Sequence, residues 1–186
     1  PDFSDHGALP PFILGYATHP NARSPYAASI LELVDRFCTT HHRALLLVGL
    51  NNYRRRLYEA GFVDGFQWVD GSFVEDIEEK QERSPRDIDV VTLFHRPNSY
   101  QSDESKWQKD FEDILFSQLF HPVLMKEQFS CDTYAIDLDM NPRSLIRNST
   151  YWFGLFSDMR NSGAKKGFVE VPLAVDPAEF AAVEYA

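Results

Sequence analysis

Cysteine is nearly missing: Cys38 and Cys131 are the only two among 186 residues. A dense disulfide framework is excluded, and no Cys/His grouping has the spacing of a zinc site. Long hydrophobic runs are missing too. The longest, residues 44–50, falls well short of the roughly 20 apolar residues a membrane helix needs, and it leads straight into Asn51-Asn52-Tyr53-Arg54-Arg55-Arg56. The opening Pro1-Asp2-Phe3-Ser4-Asp5-His6 is acidic and polar, unlike a secretion signal. No membrane partner is expected, and a reducing cytoplasm is the expected compartment. Two catalytic motifs are absent as well. Ser162-Gly163-Ala164-Lys165-Lys166 lacks the first glycine and the closing Ser or Thr of a P-loop, and Gly-x-Ser-x-Gly does not occur.

Positive charge is in short supply, with 18 Lys and Arg against 28 Asp and Glu, a net charge of −10. Gripping a long polyanion needs a basic face, so a long nucleic-acid footprint is not expected. The shortage is uneven. Glu75, Asp76, Glu78, Glu79 and Glu82 crowd one stretch, whereas Arg143, Arg147, Arg160, Lys165 and Lys166 stand against a single nearby acid, Asp158. That leaves room for a local site for one triphosphate.

What is present suffices for one globular domain. Hydrophobic residues at 44% and charged residues at 25% can build a real core. A single domain over 1–186 is expected, with an irregular arm at 1–23 and a short tail at 176–186; a homo-oligomer is compatible with it. Ser24-Pro25 predicts a helix start, followed by the apolar stripe Ile30, Leu31, Val34 and Phe37. A second helix is predicted over 40–60, with Leu46, Leu50, Tyr53 and Leu57 on one face and Gly61 ending it. Phe66, Trp68 and Val69 then mark a strand that stops at Asp70-Gly71-Ser72. Further strands are predicted over 88–94, 133–140 and 167–173, and helices over 103–120, 141–160 and from Asp176-Pro177 onward. The acidic stretch 75–82 reads as a solvated loop, and Tyr151, Trp152, Phe153, Leu155 and Phe156 read mainly as core. Strands separated by helices predict an α/β (α+β) domain with a mixed sheet flanked by helices.

One constellation carries chemistry. Asp87 and Asp89, two apart at a strand start, project to the same side. Two carboxylates so close repel unless a cation lies between them, and Mg²⁺ or Mn²⁺ takes such oxygen ligands together with substrate phosphates. A two-metal site needs a further carboxylate from a neighbouring strand. Tyr134-Ala135-Ile136-Asp137-Leu138-Asp139 offers Asp137 first, because it lies between apolar neighbours, and Asp139 second. Gly71-Ser72 lets backbone and hydroxyl approach a phosphate closely. Arg160, Lys165 and Lys166 are candidates for triphosphate charge, against a reading as an exposed basic turn. Tyr185 carries a free hydroxyl that is a candidate acceptor. A phosphatase of the haloacid-dehalogenase type is disfavoured. Its nucleophilic Asp ends an apolar strand, whereas here the apolar run follows Asp87.

Val69-Asp70-Gly71-Ser72-Phe73-Val74 followed by Arg86-Asp87-Ile88-Asp89-Val90 resembles the nucleotidyltransferase superfamily typified by DNA polymerase β. More narrowly, the whole chain is similar to a family of uncharacterised bacterial nucleotidyltransferase-like proteins, some of them found in defence loci. The similarity also runs through Leu9-Pro10-Pro11, Tyr134-Ala135-Ile136-Asp137-Leu138 and Tyr151-Trp152-Phe153-Gly154-Leu155-Phe156. The spacer departs from the pattern: 14 residues separate Ser72 from Asp87, slightly more than usual. The resemblance implies a minimal nucleotidyltransferase fold with Asp87, Asp89 and Asp137 as metal-holding catalytic acids. It implies Gly71, Ser72, Arg86, Arg160 and Lys166 as nucleotide-binding residues, and two Mg²⁺ or Mn²⁺ ions. A nucleoside monophosphate would pass to a nucleotide, a protein partner such as an effector or toxin, or the chain itself. The alternative is a catalytically silent nucleotide-binding or antitoxin-like interaction module.

Overall fold

Five strands rich in apolar side chains organise this chain. A computed structural model describes residues 1–160 and 162–184; Tyr185, the acceptor candidate, lies outside the described residues. The strands are β1 (Tyr26–Ala27), β2 (Gly65–Asp70), β3 (Ile88–Phe94), β4 (Cys131–Asp137) and β5 (Val169–Pro172), in the order β1-β5-β2-β3-β4. β2 runs antiparallel to β3 and to β5, while β3 pairs parallel with β4 and β1 with β5. The mixed sheet flanked by helices expected from the sequence is what forms.

One face carries the larger core. Val69, Ile88, Val90, Phe94, Cys131 and Val171 meet α1 (Ile30–Phe37), α2 (His41–Glu59) and α5 (Pro122–Phe129). The predicted stripe Leu46, Leu50, Tyr53 and Leu57 is at most 3% exposed. Its edge is closed by α4 (Glu104–Asp110), a π-helical stretch (Phe111–Phe120) and α7 (Ala178–Glu184). Arg54 is fully buried on this side and donates to Gln67 Oε1 (2.8 Å), the Pro172 carbonyl (2.9 Å) and Glu179 (3.0 Å). Asn51 Nδ2 donates to the Phe180 carbonyl at 2.9 Å, so α7 is fastened by polar bonds as well as by Phe180 and Val183. The other face gathers Trp68, Val91, Leu93, Ile136 and Phe168 beneath α6 (Pro142–Phe156). No helix among the described residues is long and apolar enough to cross a membrane.

Several local expectations are corrected. Ser24-Pro25 does not start a helix; Tyr26–Ala27 pairs as a strand, and α1 begins after Ser29. Ser29 accepts from Glu32 N while Glu32 bonds back to Ser29 N, a reciprocal cap worth about 1 kcal/mol. The acidic stretch is no free loop, since α3 (Ile77–Gln81) forms there and buried Arg43 clamps Glu78 at 2.7 Å. α5 fills a span that showed no helical signal, and β4 begins two residues earlier than predicted. α6 leaves Tyr151, Phe153 and Leu155 41–60% exposed, so only Phe156 of that aromatic group is buried core.

The N-terminal arm is a strap. The Gly7 carbonyl accepts from Asp76 N (2.7 Å), Ala8 bridges Glu75, and the Leu9 carbonyl accepts from Gly167 N (2.7 Å). Gly167 has no room for a side chain, because a Cβ there would come within 2.5 Å of the Pro10 carbonyl.

Candidate functional site

The ends of three neighbouring strands carry one acid each. In the β2–β3 register Asp70 lies opposite Asp89, and in the β3–β4 register Asp89 lies beside Asp132. Directly opposed residues in a sheet project to the same face, so Asp70, Asp89 and Asp132 form a lateral row on the α6 side. Asp87, two residues before Asp89, joins them at the rim. All four line one cleft of about 760 Å³, within the range of small-molecule sites.

Gly71 makes the row possible. It follows β2 with φ of +83°, and a Cβ there would stand 2.3 Å from Asp89 Oδ2. Only a glycine lets this turn run so close to the carboxylate. Ser72 follows in a 3-10 turn (Gly71–Val74) and also faces the cleft.

Burial and neighbouring charge mark two of the acids, Asp70 and Asp89. Asp89 is pushed up to about 6 by burial and then by the charges of Asp87 and Asp132, with Arg160 and Lys166 opposing. Burial pushes Asp70 up to about 7, opposed by Lys166. Lys166 is itself buried, 3.0 Å from Asp70 Oδ1 and 2.7 Å from Glu75 Oε1. The Asp70 contact is an ion pair without hydrogen-bond geometry, which leaves Asp70 Oδ1 buried and unbonded. Across the cleft, Lys126 at the end of α5 touches Asp87 and lies 3.7 Å from Asp132.

Of the residues expected at a site, the structure brings together Gly71, Ser72, Arg86, Asp87, Asp89, Arg160 and Lys166. Asp137 is not among them. Because β4 runs parallel to β3, Asp137 pairs with Phe94 at the opposite end, five residues or about 17 Å from Asp132. It also has the opposite parity, facing away from the α6 side. There Arg96 holds it at 2.7 Å. Asp139 fails as well, accepting from Arg96 N (2.8 Å) and pairing with His95 Nδ1 (2.7 Å). Lys165 pairs with Asp158, which lines the cleft, but is not itself a lining residue. The sequence reading missed Asp132, Asp70 and Lys126. Strand parity carried back to Cys131 would have found Asp132.

Apolar groups close one wall. Tyr134 and Trp152 pack with ring centroids 4.1 Å apart, beside Leu155 and Phe156. Burial and the neighbouring Asp132 charge push the Tyr134 hydroxyl up to about 12.

The donor set tests whether a divalent cation fits. Every candidate ligand is a hard carboxylate oxygen, as Mg²⁺ and Mn²⁺ require, and Asp70 Oδ1 is buried without a hydrogen bond. Among the described residues, no three Asp, Glu, His or Cys side chains are spaced to hold a metal as they stand. Two ammonium groups already lie against these acids, Lys126 on Asp87 and Lys166 on Asp70. The chemistry fits, with two lysines standing where cation charge is needed.

A mixed sheet with an acidic, lysine-buttressed cleft at the ends of β2, β3 and β4 thus defines this molecule. The chain belongs to a family of unknown function, DUF6932, which it matches over residues 1–172. No curated protein and no solved structure matches it.

Proposed function

We propose that this protein is a metal-dependent nucleotidyltransferase. It moves the nucleoside monophosphate of a ribo- or deoxyribonucleoside triphosphate to an acceptor hydroxyl and releases pyrophosphate. The observation that carries this reading is the row Asp70, Asp89 and Asp132 with Asp87, built against a glycine turn whose next residue is Ser72. Asp70 and Asp89, whose proton affinity is raised, form with the adjacent Asp87 and Asp132 a carboxylate cluster poised for cations. Asp87, Asp89 and Asp132 would hold Mg²⁺ or Mn²⁺. A bound ion would neutralise charge on the transferred phosphoryl group and lower the pKa of the attacking hydroxyl.

The chain's own groups supply binding and orientation. Ser72 and the side-chain-free backbone of Gly71 approach the outer phosphates, and Arg86, Arg160 and Lys166 offset their charge. Lys166 is fixed by Asp70 and Glu75, so it adds positive potential without reorganising. Tyr134 and Trp152 offer an apolar wall for a base. The acceptor is a nucleotide, a hydroxyl of a protein partner or one of the chain's own.

Incubation of the purified protein with Mg²⁺ or Mn²⁺ and each triphosphate, followed by pyrophosphate release and intact mass, tests the reading. Asp89→Asn and Asp132→Asn are each expected to lose at least about 100-fold in rate, the scale on which removing one aimed charge acts. Asp137→Asn is expected to keep the wild-type rate, being at the far edge of the sheet. Undiminished turnover in Asp89→Asn would sink the proposal. A second reading, a nucleotide-binding or antitoxin-like module without turnover, is favoured by the two lysines that already neutralise the acids. It predicts a thermal shift with nucleotide but no pyrophosphate from any triphosphate.

A further inference from the structure

Lys126 stands where the proposed reading would place a cation. Its ammonium touches Asp87 Oδ2 and lies 3.7 Å from Asp132 Oδ2, spanning two strands that each contribute an acid to the cleft. Its position is set by backbone. The Lys126 carbonyl accepts from Ser130 N at 3.0 Å, and the Ser130 carbonyl accepts from Ile88 N at 3.0 Å. Ser130 turns the chain from α5 into β4 in the left-handed region, with φ of 54°. Two consecutive hydrogen bonds thereby tie the backbone of Lys126 to the residue that follows Asp87.

The side chain is not held in the same way. Lys126 is 49% exposed, whereas Asp87 and Asp132 are 18% and 22% exposed. The acids are part-buried in the cleft wall, and the lysine reaches them over a long stem from a more exposed position. Lys166 differs on each count: it is buried, held by two acids, and has nowhere to go. The cleft therefore contains one resident ammonium that is immobile and one that can leave.

We infer that Lys126 is a displaceable internal counter-ion. It occupies the position between Asp87 and Asp132 and must swing out before a divalent cation binds there. This inference rests on the metal-dependent reading of the cleft. Asp87 and Asp132 are both within reach of this one ammonium. Metal affinity is then set by a competition built into the chain. The released ammonium lies at the cleft mouth, where the phosphates of an incoming triphosphate give it a new partner. Nucleotide and metal would thus favour each other's binding through one side chain.

Mn²⁺ binding without nucleotide, measured by calorimetry on the full chain, tests this apart from turnover. Lys126→Met is expected to bind Mn²⁺ about fivefold more tightly than wild type or better, the scale of a half-exposed ion pair. Lys126→Arg keeps the competing charge and is expected not to tighten binding. Lys109→Met removes an exposed charge that does not line the cleft; it controls for the general field and is expected to change affinity less than twofold. Adding Asp89→Asn to Lys126→Met should abolish the tight binding. Equal or weaker affinity in Lys126→Met overturns the inference while leaving the cleft a metal site. Equal tightening in Lys109→Met, or tight binding that survives Asp89→Asn, also overturns it. No Mn²⁺ binding by either wild type or Lys126→Met overturns both the inference and the reading beneath it.

Discussion

A single absent side chain at Gly71 decides the geometry of the cleft. Its φ of +83° already disfavours any other residue, and the Asp89 carboxylate fills the space a methyl would need. Gly71→Ala is expected to cost about 1–3 kcal/mol through backbone strain, read as a lower urea midpoint. It should also erase any thermal shift on adding Mn²⁺, because Asp89 must move; an unchanged shift would show that Asp89 is not a ligand. Gly71-Ser72 and the Asp87–Asp89 pair were legible in the sequence because a turn signal and strand parity are both local. The row they belong to was not. Asp70 read as a strand end rather than a member of the site. Asp132 was hidden because the strand was predicted to begin at Thr133 rather than Cys131, and the apolar flanks of Asp137 made it the better candidate by local pattern alone. Which acid meets Asp89 depends on the direction of β4, a long-range fact no window of residues contains.

Elements tell the same story at greater length. The stripe of α2 was readable because it buries one face against the larger core, and β3 because its β-branched run is apolar on both faces. α5 was not, since its span is short, mixed in polarity and enclosed by two other elements. The connection between β3 and β4 sends the chain across the sheet so that the strands run parallel, which sets Asp137 against Arg96 instead of the cleft. That far edge has its own electrostatics. The Asp139 hydrogen bond holds the His95 imidazole above its ordinary value, with burial opposing. Burial would raise Asp139, but Arg96 N–H and the His95 ring hold it lower. For a raised histidine the stability is fully present below its unfolded value and lost as pH rises through the folded one. For the lowered aspartate it is present above the unfolded value and lost in acid. The pair therefore counts between the ordinary values of 3.8 and 6.5. His95→Gln should cost no more than about 1 kcal/mol at pH 5.5, since both groups are more than a third exposed, and nothing at pH 9. Denaturant midpoints at the two pH values check it; an equal loss at both would mean packing rather than charge.

Across the whole molecule, ionic groups are spent on joining distant parts of the chain. Arg54 links α2 to Gln67 of β2, to the end of β5 and to Glu179 of α7 from a position 1% exposed. Arg54→Ala would strand Gln67 Oε1, the Pro172 carbonyl and Glu179, at a cost of about 3 kcal/mol. Undocking of α7 should appear as faster proteolytic cleavage near 176–178; unaltered cleavage would place its anchor in Phe180 and Val183 instead. The net charge of −10 hides this economy, because the positive residues that matter are inside or at the cleft. The N-terminal strap completes the design by bonding on one side to Asp76, next to Glu75, and on the other to Gly167, next to Lys166. Trimming the chain back to β1 would unhitch the two neighbours that keep the buried ammonium aimed at Asp70 and would also take Leu9 out of the larger core. Shortened recombinant forms would then be poor reporters of what the intact cleft can do.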